Sequence, residues 1–180
     1  MGAAGTQTAA FAIGGLQAGP NSKTETLTYN GSSWTAAPDL PTGIHAGRGS
    51  GTTSATLVAS AAPPAPKTIS MEYNGSSWST GNPTNTPKAY RGVSSLGTQT
   101  SSLLWGGEPF GGATEFYDGT NWSNESGTLG LARSGTGGGG TGTTGLAFGR
   151  ESPAGAPTRT ATEEFTSEVE TGNITDFTTS

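Results

Sequence analysis

His45 is the only histidine in the chain and cysteine is absent, so any nucleophilic or metal chemistry must be built from one imidazole and scattered carboxylates. A histidine base needs a nucleophile at hydrogen-bond distance, and a zinc site needs several nitrogen or sulfur ligands. No second histidine is available, and no serine is marked by spacing as a partner. His45 stands six residues before Gly51, as Arg91 stands six before Gly97, so it fills a repeat position that also takes arginine. A structural or surface role is expected for it. Asp39, Asp118 and Asp176 are too dispersed to read as a carboxylate pair, and no run of closely spaced oxygen ligands suggests a calcium loop. The run from Ser134 to Gly140 has no following Lys-Ser or Lys-Thr and no helix to open, so it reads as a flexible or strand-flanking loop rather than a phosphate cradle. No catalytic, cofactor-binding or metal residue is expected.

The remaining chemistry is aromatic. Tyr29-Asn30-Gly31-Ser32-Ser33-Trp34 returns as Tyr73-Asn74-Gly75-Ser76-Ser77-Trp78 and again as Tyr117-Asp118-Gly119-Thr120-Asn121-Trp122, each time on a step of 44 residues. Rows of exposed indoles stack on sugars, whereas an indole that recurs at one offset of a repeat is more often packing. Tyr29, Trp34, Tyr73, Trp78, Tyr117 and Trp122 are therefore expected to pack between repeats, joined in the last unit by Phe165 of Glu163-Glu164-Phe165.

What positions these rings is a second recurring phrase. Gly5-Thr6-Gln7-Thr8, Gly51-Thr52-Thr53-Ser54, Gly97-Thr98-Gln99-Thr100 and Gly140-Thr141-Gly142-Thr143 each lead into a short apolar run, as at Phe11 to Ile13 or Leu103 to Trp105. Short apolar runs bounded by small residues read as inner strands. Proline-containing linkers follow, at Ala61 to Lys67, Glu108 to Gly112 and Arg150 to Arg159. Proline cannot donate to a β-ladder, so these are loops. A third strand then carries the aromatic and stops at Asn-Gly or Asp-Gly. Such pairs accept the positive φ of a tight hairpin and turn the chain into a fourth strand at the tryptophan.

Four strands in a unit of about 45 residues, repeated four times, predict an all-β chain of propeller type. The units are 1–41, 42–86, 87–130 and 131–180 of a single repeat domain. Unit one has almost no room before Gly5 for a first strand, so its blade is expected to be incomplete. Unit four lacks the turn-and-tryptophan phrase, and Val169 to Phe177 reads as a closing strand or a tail.

Composition sets the limits. Of 180 residues only 30% are apolar and 31 are glycine, which would suit a disordered linker, but the formal net charge is only −5 and a linker has no reason to return Tyr and Trp to fixed offsets. With 8 basic residues, unclustered, against 13 acidic ones, a nucleic-acid partner is not expected. No stretch is long and apolar enough to span a bilayer, and Met1 to Gly15 lacks the basic start of a secretion signal. The triplets at Asn30, Asn74, Asn121, Asn124 and Asn173 fit the N-glycosylation pattern but arise readily by chance in so Asn-, Ser- and Thr-rich a chain.

Through the Gly-Thr-Gln-Thr phrases, the doublets Gly14-Gly15 and Gly106-Gly107, and the Tyr-Asn-Gly-Ser-Ser-Trp phrases, the chain resembles the kelch-like repeat proteins of tailed bacteriophages and uncultured marine viruses. It departs from that pattern at Ser60-Ala61 and Gly149-Arg150, where the doublet is missing or half present. The resemblance implies a kelch-like β-propeller that is a non-enzymatic part of a virion, in its tail, fibre or decoration. Other virion proteins are the partners this implies, a host-surface glycan would be the partner in host contact, and strand edges left open in the first and last units would invite self-association with further copies of the chain. A carbohydrate-binding adhesin module is the alternative function.

Overall fold

Short runs of small, apolar and threonine residues over two to seven positions, broken by glycine turns, produce strands and no helices among the described residues. The computed structural model describes residues 1–17, 22–61, 67–89, 92–93, 97–149 and 162–166. The chain folds into four small antiparallel sheets. The first holds β1 (Gly2–Gly5), β2 (Ala10–Ile13), β3 (Thr26–Tyr29) and β4 (Trp34–Ala37) in sequence order. The second holds β5 (Arg48–Thr52), β6 (Ala55–Ala61), β7 (Lys67–Tyr73) and β8 (Trp78–Thr80). The third holds β9 (Gly92–Val93), β10 (Ser102–Trp105), β11 (Thr114–Tyr117) and β12 (Trp122–Asn124). The fourth holds β13 (Gly137–Gly140), β14 (Thr144–Phe148) and β15 (Thr162–Thr166).

Two expectations are corrected. The first sheet is complete in its four strands, because the opening strand runs into the Gly-Thr phrase itself and needs only residues 2–5, with Gly2 opposite Ile13 and Gly5 opposite Ala10. The glycine-rich run is no loop: Gly137 to Gly140 form β13, laddered to Phe148 through Gly145. Backbone pairing asks nothing of a side chain, and the Phe148 ring occupies the space above Gly137, where an added Cβ would lie 2.6 Å from it. The segment Val169 to Phe177, read as a closing strand or a tail, lies outside the described residues, as do Asp176 and all of the Arg150 to Arg159 linker.

The turns after the tyrosines have one construction. Tyr29 pairs with Trp34, Tyr73 with Trp78 and Tyr117 with Trp122, leaving four-residue loops rather than two-residue hairpins. Only the glycine takes positive φ, 93° at Gly31, 95° at Gly75 and 97° at Gly119. The preceding residue acts through its side chain instead: Asn74 Oδ1 accepts the N–H groups of Ser76 and Ser77 at 3.0 and 2.9 Å, and Asp118 Oδ1 those of Thr120 and Asn121, both at 2.7 Å. Two donated amides hold the Asp118 carboxyl below the usual carboxylate range.

Side chains on a strand alternate between faces, so each sheet has two. One, here the onward face, carries Phe11 and Ile13, Leu57 and Ala59, Leu103 and Trp105, or Leu146 and Phe148. The other, the aromatic face, carries Tyr29 and Trp34, Tyr73 and Trp78, Tyr117 and Trp122, or Phe165. The core consists of contacts between one sheet's onward face and the next sheet's aromatic face. Phe11 and Ile13 lie with Tyr73, Trp78, Met71 and Val58. Leu57 and Ala59 lie with Leu104, Tyr117 and Trp122. Leu103 and Trp105 lie with Ala147 and Phe165. No buried cluster joins the fourth sheet to the first among the described residues.

Candidate functional site

The three sheet-to-sheet interfaces are the best-defined sites of the chain, and each is built from repeat positions. At the first, the Phe11 ring meets Tyr73 edge-on at 5.0 Å and lies 5.9 Å from Trp78, which is 8% exposed. At the second, Tyr117 and Trp122 stack at 4.9 Å beneath Leu57, with Trp122 7% exposed. At the third, Phe165 lies half-buried beside Trp105 and Ala147. Trp34 departs from the expectation. It stacks on Tyr29 at 5.1 Å but is 51% exposed, because none of the other described sheets covers the first sheet's aromatic face. Leu27 on that face is also exposed.

Polar groups fix the register of these interfaces. The Tyr117 phenol donates to the Glu72 carboxylate across the second interface. Gln99 Nε2, from the third sheet's Gly-Thr-Gln-Thr turn, reaches back to the carbonyls of Thr56 and Tyr73 at 3.2 and 2.7 Å. Glu115, wholly buried, accepts the backbone N–H groups of Asn85 and Thr86 at 2.7 and 3.2 Å, holding the loop that leads from the second sheet to the third. Glu163 occupies the same register in the fourth sheet, accepting the Gly130 N–H at 2.6 Å and pairing with the buried guanidinium of Arg133. The sequence marks neither Glu115 nor the part played by Gln99, and it shows Glu163 only as a neighbour of Phe165. The one available signal was glutamine recurring in the first and third Gly-Thr-Gln-Thr phrases.

The glycine doublets explain themselves here. Gly14 and Gly106 take φ of 57° and 64°, and a Cβ on either would lie 2.4 Å from the Ile44 carbonyl oxygen or 2.6 Å from that of Arg133. The second glycine completes the contact, the Gly15 N–H donating to Ile44 and the Gly107 N–H to Arg133. Where the doublet is missing, Ser60 keeps the left-handed conformation at φ 56°, and its hydroxyl donates to the equivalent carbonyl, that of Lys88. A polar side chain thus replaces a close backbone approach, and the geometry survives the departure from the repeat.

The candidate chemical groups are not brought together. His45 Nδ1 lies 2.9 Å from Ser22 Oγ, but no carboxylate orients the ring among the described residues, and burial together with the Met1 ammonium lowers its pKa. Asp39 accepts only a long bond, 3.4 Å, from Thr24. Among the described residues no three His, Cys, Asp or Glu gather to hold a metal. A pocket of about 240 Å³ is bordered by β1, by Gly47 to Gly49 and by Thr136 to Gly138, so the opening strands of the first, second and fourth sheets share one space. The Met1 amine and Arg48 stand at it, both with pKa lowered by burial. No protein-family model matches the chain, and no curated protein matches it.

Proposed function

We propose that the chain is a non-enzymatic scaffold of β-propeller type in a phage-like virion, serving tail, fibre or decoration assembly or contact with a host surface. The observation that carries the scaffold reading is the sheet-on-sheet interface made three times from equivalent residues. Such an array commits its aromatic groups to packing and leaves the loops at the sheet ends free to vary, which suits presentation of contacts on a rigid frame. The opening strands grouped about one pocket support the propeller arrangement. The virion setting rests on the resemblance of the Gly-Thr-Gln-Thr and Tyr-Asn-Gly-Ser-Ser-Trp phrases, and membership of a particle makes other virion proteins the partners. Density for the chain at defined positions in purified particles is the expected result, and its absence from such particles would refute the setting.

A carbohydrate-binding adhesin is the second reading, favoured by the exposed Tyr29 and Trp34 pair. A glycan array tests it: saturable binding that disappears in Trp34→Ala, with the fold retained, would displace the purely structural reading.

A further inference from the structure

Each internal interface joins one onward face to one aromatic face, and one of each is left over. The first sheet's aromatic face carries Tyr29, Trp34 and Leu27, with Trp34 51% and Leu27 40% exposed. The fourth sheet's onward face carries Leu146 and Phe148, and Phe148 is 44% exposed. Both are finished for a neighbour. Trp34 has the orientation on its tyrosine that Trp78 and Trp122 have on theirs, with ring separations of 5.1, 5.1 and 4.9 Å. Gly149, which answers to Gly14 and Gly106, holds the same left-handed φ of 66°, yet among the described residues nothing lies within 4 Å of where its Cβ would be. Gln7 stands in the first sheet's turn where Gln99 stands in the third's, and it is exposed.

From this we infer that a second copy of the chain covers these faces, the fourth sheet of one molecule packing on the first sheet of the next. The three internal interfaces define the contact. Leu146 and Phe148 take the places of Phe11 and Ile13 over the aromatic pair, and Tyr29 with Trp34 takes the place of Tyr73 with Trp78. Gln7 donates to the carbonyls of Gly145 and Phe165, the register equivalents of Thr56 and Tyr73, since Gly145 pairs with Phe165 as Thr56 pairs with Tyr73. The two surfaces are complementary to one another and not to themselves, so the association is head to tail, the kind that builds rings or filaments rather than isolated twofold dimers. The inference stands on the interfaces and is independent of the virion setting.

Sedimentation velocity over a range of concentrations, with Trp34→Asp and Phe148→Asp, tests it on the full chain. The unmodified protein is expected to form species larger than a monomer, increasingly so with concentration, and each variant alone to stay monomeric with an unchanged far-ultraviolet spectrum. Mixing the two variants restores one undamaged face of each kind, so a 1:1 dimer that grows no further is expected. Gln7→Ala, an exposed turn substitution, is expected to weaken self-association about tenfold, the equivalent of one buried hydrogen-bonded group. Should Phe148→Asp unfold the protein, Leu146→Glu damages the same face. The inference is overturned by an unmodified chain that is monomeric at every concentration, by single variants that still dimerise, or by a mixture of folded variants that yields no heterodimer.

Discussion

The hydroxyl of Tyr117, on the third sheet, donates to the carboxylate of Glu72, on the second, so a single proton bridges two repeats. Burial, that hydrogen bond and the nearby negative charges of Glu72 and Asp118 all raise the phenol's pKa well above the ordinary tyrosine value of 10.0. A folded-state pKa raised above the unfolded one adds stability that is fully present below about pH 10 and is lost as the pH climbs from there toward the folded value. Tyr117→Phe should therefore lower stability at neutral pH by roughly 1 to 2 kcal/mol, for the lost bond, and flatten the alkaline decline. Denaturant titrations between pH 7 and 11 measure both, and an alkaline decline equal in the two proteins would contradict the linkage.

The three tryptophans of the Tyr-x-Gly-x-x-Trp phrase should respond unequally. Trp78→Ala and Trp122→Ala each open a cavity in an interface and are expected to cost about 3 to 5 kcal/mol. Trp34→Ala removes a half-exposed ring and should cost under about 1 kcal/mol at protein concentrations low enough to keep the chain monomeric. Equal losses at all three positions would mean that the first sheet's aromatic face is covered within the monomer.

Gly75→Val should destabilise by roughly 1 to 3 kcal/mol, because a β-branched residue is strained at positive φ. The added Cβ also approaches the Ser54 carbonyl oxygen to 3.3 Å. Unfolding midpoints of this variant beside Ser76→Val, at an exposed loop position without that conformation, isolate the backbone term, which is expected only in the glycine variant.

Glu115→Ala leaves the N–H groups of Asn85 and Thr86 without their acceptor beside a buried strand. A loss of about 2 to 4 kcal/mol is expected from two such groups. Amide hydrogen exchange localises the effect, with faster exchange at Asn85 and Thr86 as its signature, and unchanged exchange there would show that the carboxylate does not hold the loop.

Much of this organisation could be read from residue order. The 44-residue step of the tyrosines located three turns and three strand pairs, because a left-handed glycine and a side-chain cap are local requirements that every copy must meet. Trp34 shows where such reading stops: its phrase is identical to that around Trp78, and only whether another described sheet covers the ring separates the exposed one from the buried one. Ser60 shows the reverse, a broken phrase whose backbone geometry is kept by a hydroxyl. The roles of Glu115 and Glu163 are not legible in the sequence because their partners lie in loops some 30 residues away, which no spacing rule connects to them. The four-glycine strand was misread because glycine usually marks a break, whereas a ladder against β14 needs only amides and carbonyls.

That strand carries a dynamic consequence. Glycine gives up more backbone freedom on folding than any other residue, about 0.5 to 1 kcal/mol each relative to alanine within a strand. Gly137 to Gly140 meet this cost four times in succession and offer no side chains to offset it. The fourth sheet is accordingly expected to be the softest of the four, and its inner amides should exchange with solvent well before those of β6 or β10, whose own residues are almost all buried. A chain that grows by adding copies at this sheet meets each newcomer with its most yielding part, so the first contact is made by a surface that adjusts while the frame behind it stays fixed.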